Sequence, residues 1–560
     1  KLSQSKQFYL KYANYGEGRN KDRNLKNLVF MQFLEFRNDL YYKKIMRRFY
    51  VFSKVNSIGL RGLEGYPVSV EVDVGDGLPG VSMVGVLSSE VREAQDRVRT
   101  AIKNSGYHFR PQKVTINLSP ADIRKGGTGF DFPIAVGMLC AYGILKESYL
   151  KDAVVIGELG LDGDVKPVRG ILSMVSEAKV QGYQRCFLPQ ENIQEGKAIE
   201  GIQIIGIHCL KQMAEVMANP SCWRELNREN ETTTQTEEDY SVDYAEVQGQ
   251  FLMKRATEVA VAGCHNLLYI GSAGTGKTMI AERIPSIMPS CTREEQLEIS
   301  KVYSICGLLP EQGKLLGKRP FRSPHHSITG AALAGGGKNP MPGELSLASG
   351  GVLFLDEFPE FSKHVIEMMR QPLESHKVVL SRVSGRYEFP ANFILVAAMN
   401  PCPCGHYPDR NRCRCTEYQV KSYLGKISKP ILDRIDICVE AAPVSFEDLH
   451  ERKGQESSAQ IRKRVEKARE IQEIRFKGTN IHFNSEMRGE EIRRYCALKK
   501  EDEQFFQNVY ENMNLSARAY ARILKVSRTI ADLDRQEQIN HEHLCEAISY
   551  RSLEEKYWSS

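Results

Sequence analysis

The chain has 560 residues, 41% of them hydrophobic and 26% charged, which is the composition of several compact globular units and excludes both a single small binding module and a disordered or fibrous protein. The longest uncharged apolar run, Phe132 to Leu145, spans fourteen residues, short of the roughly 20 that an apolar membrane helix needs. The formal charge of +6 is concentrated in residues 1–50, where twelve Lys/Arg face four Asp/Glu, so the remainder is close to neutral, about −2, and offers no broad basic field for nucleic acid.

Residues 1–50 lack an initiator methionine and any clean period; the alternatives are a basic arm or a leader outside the functional fold. From residue 51 to about 220 the pattern is α+β. The stretch VSVEVDV alternates as a half-buried strand, and Ser88 to Ser105 should form a helix with Val91, Ala94, Val98 and Ile102 on one face. A strand at Lys113 to Leu118, a glycine-rich turn at Gly126 to Gly129, a buried helix to Leu145 and strands near Ala153 to Glu158 and Cys186 to Leu188 follow. Residues 221–243, acidic and poor in aliphatic side chains, read as a linker. Alternating strands and helices over 244–450 predict an α/β core, and 451–560 a charged helical region, where Ser457 and Gln460 form a capping box ahead of Ile461, Val465, Ala468 and Ile471. Fourteen cysteines without a signal-peptide pattern suit a reducing cytoplasm better than a disulfide scaffold.

The strongest chemistry lies in Gly271, Ser272, Ala273, Gly274, Thr275, Gly276, Lys277 and Thr278, directly after the apolar strand NLLYI. Glycines let backbone N–H groups close on phosphates, the following helix offers its positive end, Lys277 can reach the β and γ phosphates, and Thr278 can supply an oxygen to Mg²⁺. Farther on, Gly351 to Glu357 delivers two carboxylates at a strand's end, Asp356 for the Mg²⁺ shell and Glu357 to orient and deprotonate a water. Together these predict ATP binding and hydrolysis. The strand Phe393 to Ala398 runs to Asn400, whose amide can stand beside the γ-phosphate. Arg434, in Pro430-Ile-Leu-Asp-Arg-Ile-Asp436, has two equal readings: an arginine reaching a neighbouring subunit's nucleotide, or a buried salt bridge to Asp433 or Asp436.

At these residues the sequence resembles the magnesium-chelatase-like AAA+ ATPases, most closely the ComM/YifB family, over nearly all of 51–551. The strings that carry the likeness include GLPGVSMVG, FRSPHH, PGELSLASGGVLFLDE, AAMNPCPCGHY, PILDRIDI and LSARAYARILKVSRTIADL. The resemblance implies an α/β phosphate-loop AAA+ core with a helical lid, preceded by an α+β Lon-protease-like, S5-type domain, assembling as a homo-hexameric ring. It implies the sensor-1 role for Asn400, the arginine finger for Arg434 and the sensor-2 arginine for Arg518. Arg322 to Leu345 corresponds to the family's helix-2 insertion and Lys377 to Phe389 to a hairpin before sensor 1. Single-stranded or branched DNA is the implied partner, with branch migration during natural transformation the implied activity and recombination proteins as further partners. Ser272-Ala273 stands where the family usually has Pro-Pro, while Gly276, Lys277 and Thr278 are intact.

A Lon-type peptidase needs a serine in the glycine-rich turn and a lysine base. The turn here, Gly126-Gly-Thr-Gly129-Phe-Asp, has no serine, and the lysine position falls at or beside Leu172, so the first domain is expected to serve ring assembly or DNA contact instead. Cys402, Cys404, Cys413 and Cys415 could close a structural Zn²⁺ site, although the tight CxC spacing strains a four-ligand cage, and free or redox-active thiols are the alternative. His325 and His326 either sense nucleotide or DNA or hold a turn. Arg382 and Arg386 on the hairpin are candidates for DNA phosphates, or else a solvated edge. The basic residues of Arg462 to Arg475 alternate with Glu466, Glu470 and Glu473 and read as a salt-bridged surface. The rival to the DNA motor is a chelatase-like ATPase that remodels a protein or metal-insertion partner.

Overall fold

The computed structural model describes residues 52–109, 111–219, 240–310, 313–382, 385–442 and 456–558. The expected leader at 1–50 and most of the expected linker lie outside the described residues. The chain separates into two compact units; of the described residues, 52–57, 68–165 and 208–219 form the first, and 58–67, 166–207 and 240–558 the second.

The first unit is a mixed sheet covered by helices. Within this unit the strand segments run in the order Gly80–Val84, Lys113–Ser119, 68–75, 52–57 and Ala153–Val155. Glu64–Gly75 and Lys113–Ser119 are antiparallel, with Val70 opposite Leu118, Val72 opposite Ile116 and Val74 opposite Val114. All six are buried, because a period of two sends alternate side chains to one face of the sheet. The helix Ser89–Asn104 starts on Ser88, whose hydroxyl accepts the Val91 N–H, and buries Val91, Ala94, Val98, Ala101 and Ile102. The helix Asp131–Ala141 is buried on every side. Its first residue, Asp131, is charge-paired with Arg97 at 2.8 Å, which supplies the partner a buried carboxylate requires.

The second unit is built on a five-stranded, all-parallel sheet in the order Phe321–Arg322, Val352–Leu355, Ile394–Met399, Leu267–Ile270, Ile437–Glu440. Its three central strands are fully buried, which is why they read as continuous apolar runs rather than alternating ones. One face carries Leu267, Tyr269, Val352, Phe354, Val396 and Val439, packed with residues of the helices Phe251–Gly263, Lys277–Ile287, Ser458–Arg475 and Ala517–Leu533. The other carries Leu268, Ile270, Leu353, Leu355, Leu395 and Cys438 with residues around Phe358, Val378, Tyr423 and Ile431.

In the helical region the Ser457/Gln460 capping box opens the helix Ser458–Arg475, and Ile461, Val465 and Ala468 are buried as expected. Ile471 is only half-buried. Gln472, four residues after Ala468, takes the buried place and donates to the Ala262 and Ala468 carbonyls. The arginines of this helix also turn toward the body of the unit rather than lacing its surface. Arg464 pairs with Glu258 and Glu456, and Arg475 pairs with the fully buried Asp532. These are anchoring contacts, whereas the sequence period had suggested pairs with Glu466, Glu470 and Glu473.

Candidate functional site

The phosphate loop leaves the C-terminal end of Leu267–Ile270, a central strand held between Ile394–Met399 and Ile437–Glu440. Gly274 and Gly276 have φ of +79° and +85°, a left-handed backbone that glycine adopts without strain, and a Cβ on either would meet open space. Gly271 is required for a different reason, since a Cβ there would stand 2.7 Å from the Ala441 side chain. The helix Lys277–Ile287 begins directly after Gly276, so its free N–H groups and positive end face the loop. Gln250, which carries no motif and escaped the sequence reading, braces the loop by donating to the Thr275 and Ala442 carbonyls at 3.0 and 2.6 Å.

Lys277 is 8% exposed, and its ammonium donates to the Gly271 and Ser272 carbonyls at 2.8 Å each and lies 3.5 Å from the Asn400 Oδ1. Burial lowers its pKa from the ordinary lysine value, and Asp356 partly offsets that. The Thr278 hydroxyl donates to the Asp356 Oδ2 at 2.8 Å, and the other Asp356 oxygen accepts the Glu357 N–H at 2.8 Å. Lys277, Thr278, Asp356, Glu357 and Asn400 are therefore gathered at one end of the sheet. Glu357 itself sits at φ +50°, a strained conformation for a residue with a Cβ, and its carboxylate is 61% exposed. The His326 Nδ1 lies 3.5 Å from the Glu357 Oε2, and His325 accepts or donates at 2.9 Å to Ser327. Of the two readings for the histidine pair, the turn describes His325, while His326 stands beside the candidate base.

A hydroxyl and a carboxylate oxygen 2.8 Å apart, both hard donors, next to a glycine cradle of backbone N–H groups, fit Mg²⁺ and the phosphates of a nucleotide. Thr278 and Asp356 could hold the ion, and Gly271 through Thr278 the phosphates.

Arg434 and Arg518 lie elsewhere. Arg434 is not bridged to Asp433 or Asp436; its guanidinium pairs with Glu374 and donates to the Arg370 carbonyl at 3.0 Å. Asp433 pairs with Arg518 at 3.6 Å and Asp436 with Arg522 at 3.4 Å. These residues precede Ile437–Glu440 and sit where the parallel strand Leu267–Ile270 begins, as the Asp436 N–H bond to the Asn266 carbonyl at 3.0 Å shows. The phosphate loop sits where that strand ends, one strand length or about 13 Å away at some 3.3 Å per residue. The two arginines accordingly do not meet the loop of their own chain.

The four sulfurs of Cys402, Cys404, Cys413 and Cys415 lie within 4.8 Å of one another. Arg382 and Arg386 flank the tip of the hairpin Lys377–Arg382 and Gly385–Pro390, whose residues 383–384 lie outside the described residues; Arg386 pairs with Glu388 at 2.7 Å. In the first unit the Thr128 hydroxyl donates to the Glu158 carboxylate. Leu172 is fully buried in the helix Ile171–Val180. Among the described residues no helix is long and apolar enough to cross a membrane.

Three family profiles match the chain: "Magnesium chelatase, subunit ChlI" over residues 243–449, "Subunit ChlI of Mg-chelatase" over 70–192, and "Magnesium chelatase, subunit ChlI C-terminal" over 455–551. The chain is 42% identical over 497 residues to the uncharacterized protein YifB of Salmonella typhimurium, covering 88% of this chain and 96% of that protein. It is 39% identical over 503 residues to the competence protein ComM of Haemophilus influenzae, covering 88% and 96%. A weaker likeness, 26% over 167 residues and 27% of this chain, runs to Lon protease 2 of Bacillus subtilis, covering 30% of that protein, and supports the Lon-like character of the N-terminal portion. In agreement with its parallel sheet and phosphate loop, the chain belongs to the ComM/YifB family of magnesium-chelatase-like AAA+ proteins.

Proposed function

We propose that the protein is a Mg²⁺-dependent AAA+ ATPase that works in the cytoplasm as a six-membered ring on single-stranded or branched DNA, moving a branch point during recombination. Its parts would be a Lon-like domain over 51–220, a linker over 221–243, an ATPase core over 244–450 and a helical lid over 451–560, with Zn²⁺ at the cysteine quartet. The observation that carries the ATPase reading is the meeting of Lys277, Thr278, Asp356, Glu357 and Asn400 at one end of a parallel sheet.

In this reading Lys277 leaves its loop carbonyls for the β and γ phosphates, exchanging neutral acceptors for charged ones. Bound Mg²⁺ would supply charge neutralisation at the phosphate oxygens. The Asn400 amide orients the attacking water, and Glu357 takes its proton. Arg434 and Arg518 act on the nucleotide of an adjacent copy, since they stand at the far end of the sheet. DNA enters through the likeness to a competence protein and through Arg382 and Arg386 on the exposed hairpin, which would contact backbone phosphates without reading sequence.

The test is the steady-state ATPase rate with and without single-stranded and four-way-junction DNA. Severalfold stimulation that disappears in Lys277→Ala supports the motor. Basal hydrolysis indifferent to both DNAs refutes it and favours the second reading, a chelatase-like ATPase acting on a protein partner, to which the three ChlI profiles point.

A further inference from the structure

We propose that Cys402, Cys404, Cys413 and Cys415 bind one Zn²⁺ whose function is to clamp the turn through Gly405 onto the phosphate loop, making the metal a determinant of nucleotide affinity. The clamp rests on the nucleotide reading; the metal site stands without it.

The metal follows from the sulfur geometry. A tetrahedral zinc with Zn–S bonds of about 2.3 Å has sulfur–sulfur edges of about 3.8 Å. Three of the pairs, Cys402–Cys404, Cys402–Cys413 and Cys404–Cys413, are 3.4, 3.7 and 3.6 Å apart. They form a nearly equilateral face, with Cys415 within 4.8 Å of each. Disulfide bonding would instead pair the sulfurs two by two at about 2.05 Å. The tight spacing does not prevent closure, because each CxC contributes two thiols and the eight intervening residues bring the second pair onto the first. In the turn that Gly405 closes, the Cys402 and Cys404 sulfurs stand 3.4 Å apart, so CxC serves as a bidentate unit.

The surroundings suit a thiolate cage. The Tyr407 N–H donates to the Cys402 sulfur at 3.4 Å, the kind of outer contact that orients a ligand. Four thiolates on a divalent ion leave a local charge of −2, and Arg410, Arg412 and Arg414 lie in the same loop. All-sulfur donors select zinc or iron over Mg²⁺ and Ca²⁺, and a closed tetrahedral set leaves no position for substrate, which makes the role structural.

The clamp follows from what the loop touches. Met399 accepts the Gly271 N–H at 3.1 Å, Asn400 reaches Lys277, and Gly405, at φ +81°, closes the Cys402 turn by donating to the Cys402 carbonyl at 3.0 Å. A Cβ on Gly405 would lie 3.9 Å from the Ser272 Cα and 4.0 Å from the Ala273 nitrogen, so this turn stands beside the loop at Ser272 and Ala273 with room for one more carbon between them. Ordering fourteen residues from 402 to 415 around two buried cysteines costs conformational entropy that metal binding offsets.

The full chain, purified without added metal, is analysed for metal by mass spectrometry and for its Co²⁺-substituted absorption spectrum, and its affinity for fluorescent ADP is measured before and after zinc is extracted with a thiol-binding mercurial. The expected results are one zinc per chain, a cobalt spectrum with thiolate charge-transfer and strong tetrahedral d–d bands, and ADP binding weakened by about tenfold or more on extraction and restored by zinc, a tenfold change being about 1.4 kcal/mol. Cys404→Ser, at the exposed corner of the quartet, should lower zinc retention with unchanged circular dichroism. Iron in place of zinc, two disulfides, or four rapidly titrating thiols overturns the site. Zinc-loaded and extracted protein of equal ADP affinity overturns the clamp alone, and zinc-loaded protein that binds no ADP overturns the nucleotide reading and the clamp with it.

Discussion

Asp436 ties the lid to the base of the core sheet, and replacing it with asparagine should loosen the lid by a calculable amount. Its carboxylate accepts from the Asn266 N–H at 3.3 Å and lies 3.3 Å from the His265 Nδ1 and 3.4 Å from the Arg522 Nε. His265 in turn is 2.8 Å from Thr529 on the same lid helix, Ala517–Leu533. Burial would raise the Asp436 pKa, but His265, Arg522 and Lys525 outweigh it and hold the group at about 2, against an ordinary 3.8. A depression of nearly two units corresponds to about 2 kcal/mol favouring the folded, charged state. Because the folded value is the lower one, that stability is fully present above pH 4 and is lost as pH falls through about 2. Asp436→Asn removes the charge and turns one of the two accepting oxygens into a donor, leaving the other to accept. At pH 7 amide exchange in 517–533 should accelerate by about thirtyfold, the equivalent of 2 kcal/mol, while the helix Ser89–Asn104 of the first unit is unaffected. In urea denaturation the gap between variant and wild type should shrink by about half near pH 3. Unchanged protection of 517–533 at pH 7, or a gap that widens as pH falls, refutes the reasoning.

Glu357→Gln should retain ATP binding and lose turnover by at least about 10²-fold, measured by fluorescent-nucleotide titration beside phosphate release; near-normal turnover removes Glu357 as base. Arg434→Ala should be inactive alone and regain activity in mixed rings with Glu357→Gln subunits, since some interfaces then carry both groups; no rescue at any mixing ratio returns Arg434 to a structural role. Glu374→Gln frees Arg434 from an ion pair whose carboxylate is 59% exposed, so the ATPase rate should rise by no more than about fivefold, in line with the up to ~1 kcal/mol of exposed pairs; a fall in rate with assembly intact contradicts a restraining role for Glu374. His326→Ala should change kcat with little effect on KM, because His326 touches Glu357 and not the phosphate loop; equal loss in both parameters indicates a folding defect instead.

The phosphate loop, the acidic strand end and the strand leading to Asn400 were legible because each is a contiguous string whose spacing is imposed by a strand or a helix start. The same holds for Ser88 and Ser457 as caps, where local hydrogen bonding decides the outcome. What sequence could not supply were partners chosen by the fold. Glu374 lies sixty residues before Arg434 on a short helix and satisfies it in place of Asp433 or Asp436, the acids that were close in sequence. Those two acids are turned to Arg518 and Arg522 of the lid helix. Gln472 in the buried stripe and Gln250 under the phosphate loop escaped for a related reason: an amide whose bonds go to backbone carbonyls leaves no pattern in polarity. Compactness of the cysteine quartet was likewise beyond CxC spacing, because the eight residues between the pairs set it.

On the proposed reading, the separation of the two charged centres bears on how a ring would be held. One end of the sheet carries the cradle for phosphates, and the other carries Arg434 and Arg518, near enough for their like charges to act on one another. A copy docked so that the arginine end of one met the phosphate end of the next would complete a site that neither would possess alone, and such a heterologous contact would repeat until it closed. The arginines are not bare before docking, since Glu374 and Asp433 neutralise them. Meeting a nucleotide exchanges these carboxylates for phosphate oxygens, so the free energy of engagement is the difference between two charge-assisted pairs rather than the full strength of one. Phosphate offers more oxygens and more charge than a single exposed carboxylate, and after hydrolysis and phosphate release that advantage falls. On the proposed reading, the carboxylates therefore set the threshold at which the arginines let go, and a ring can pass through repeated cycles of engagement without either state becoming a trap.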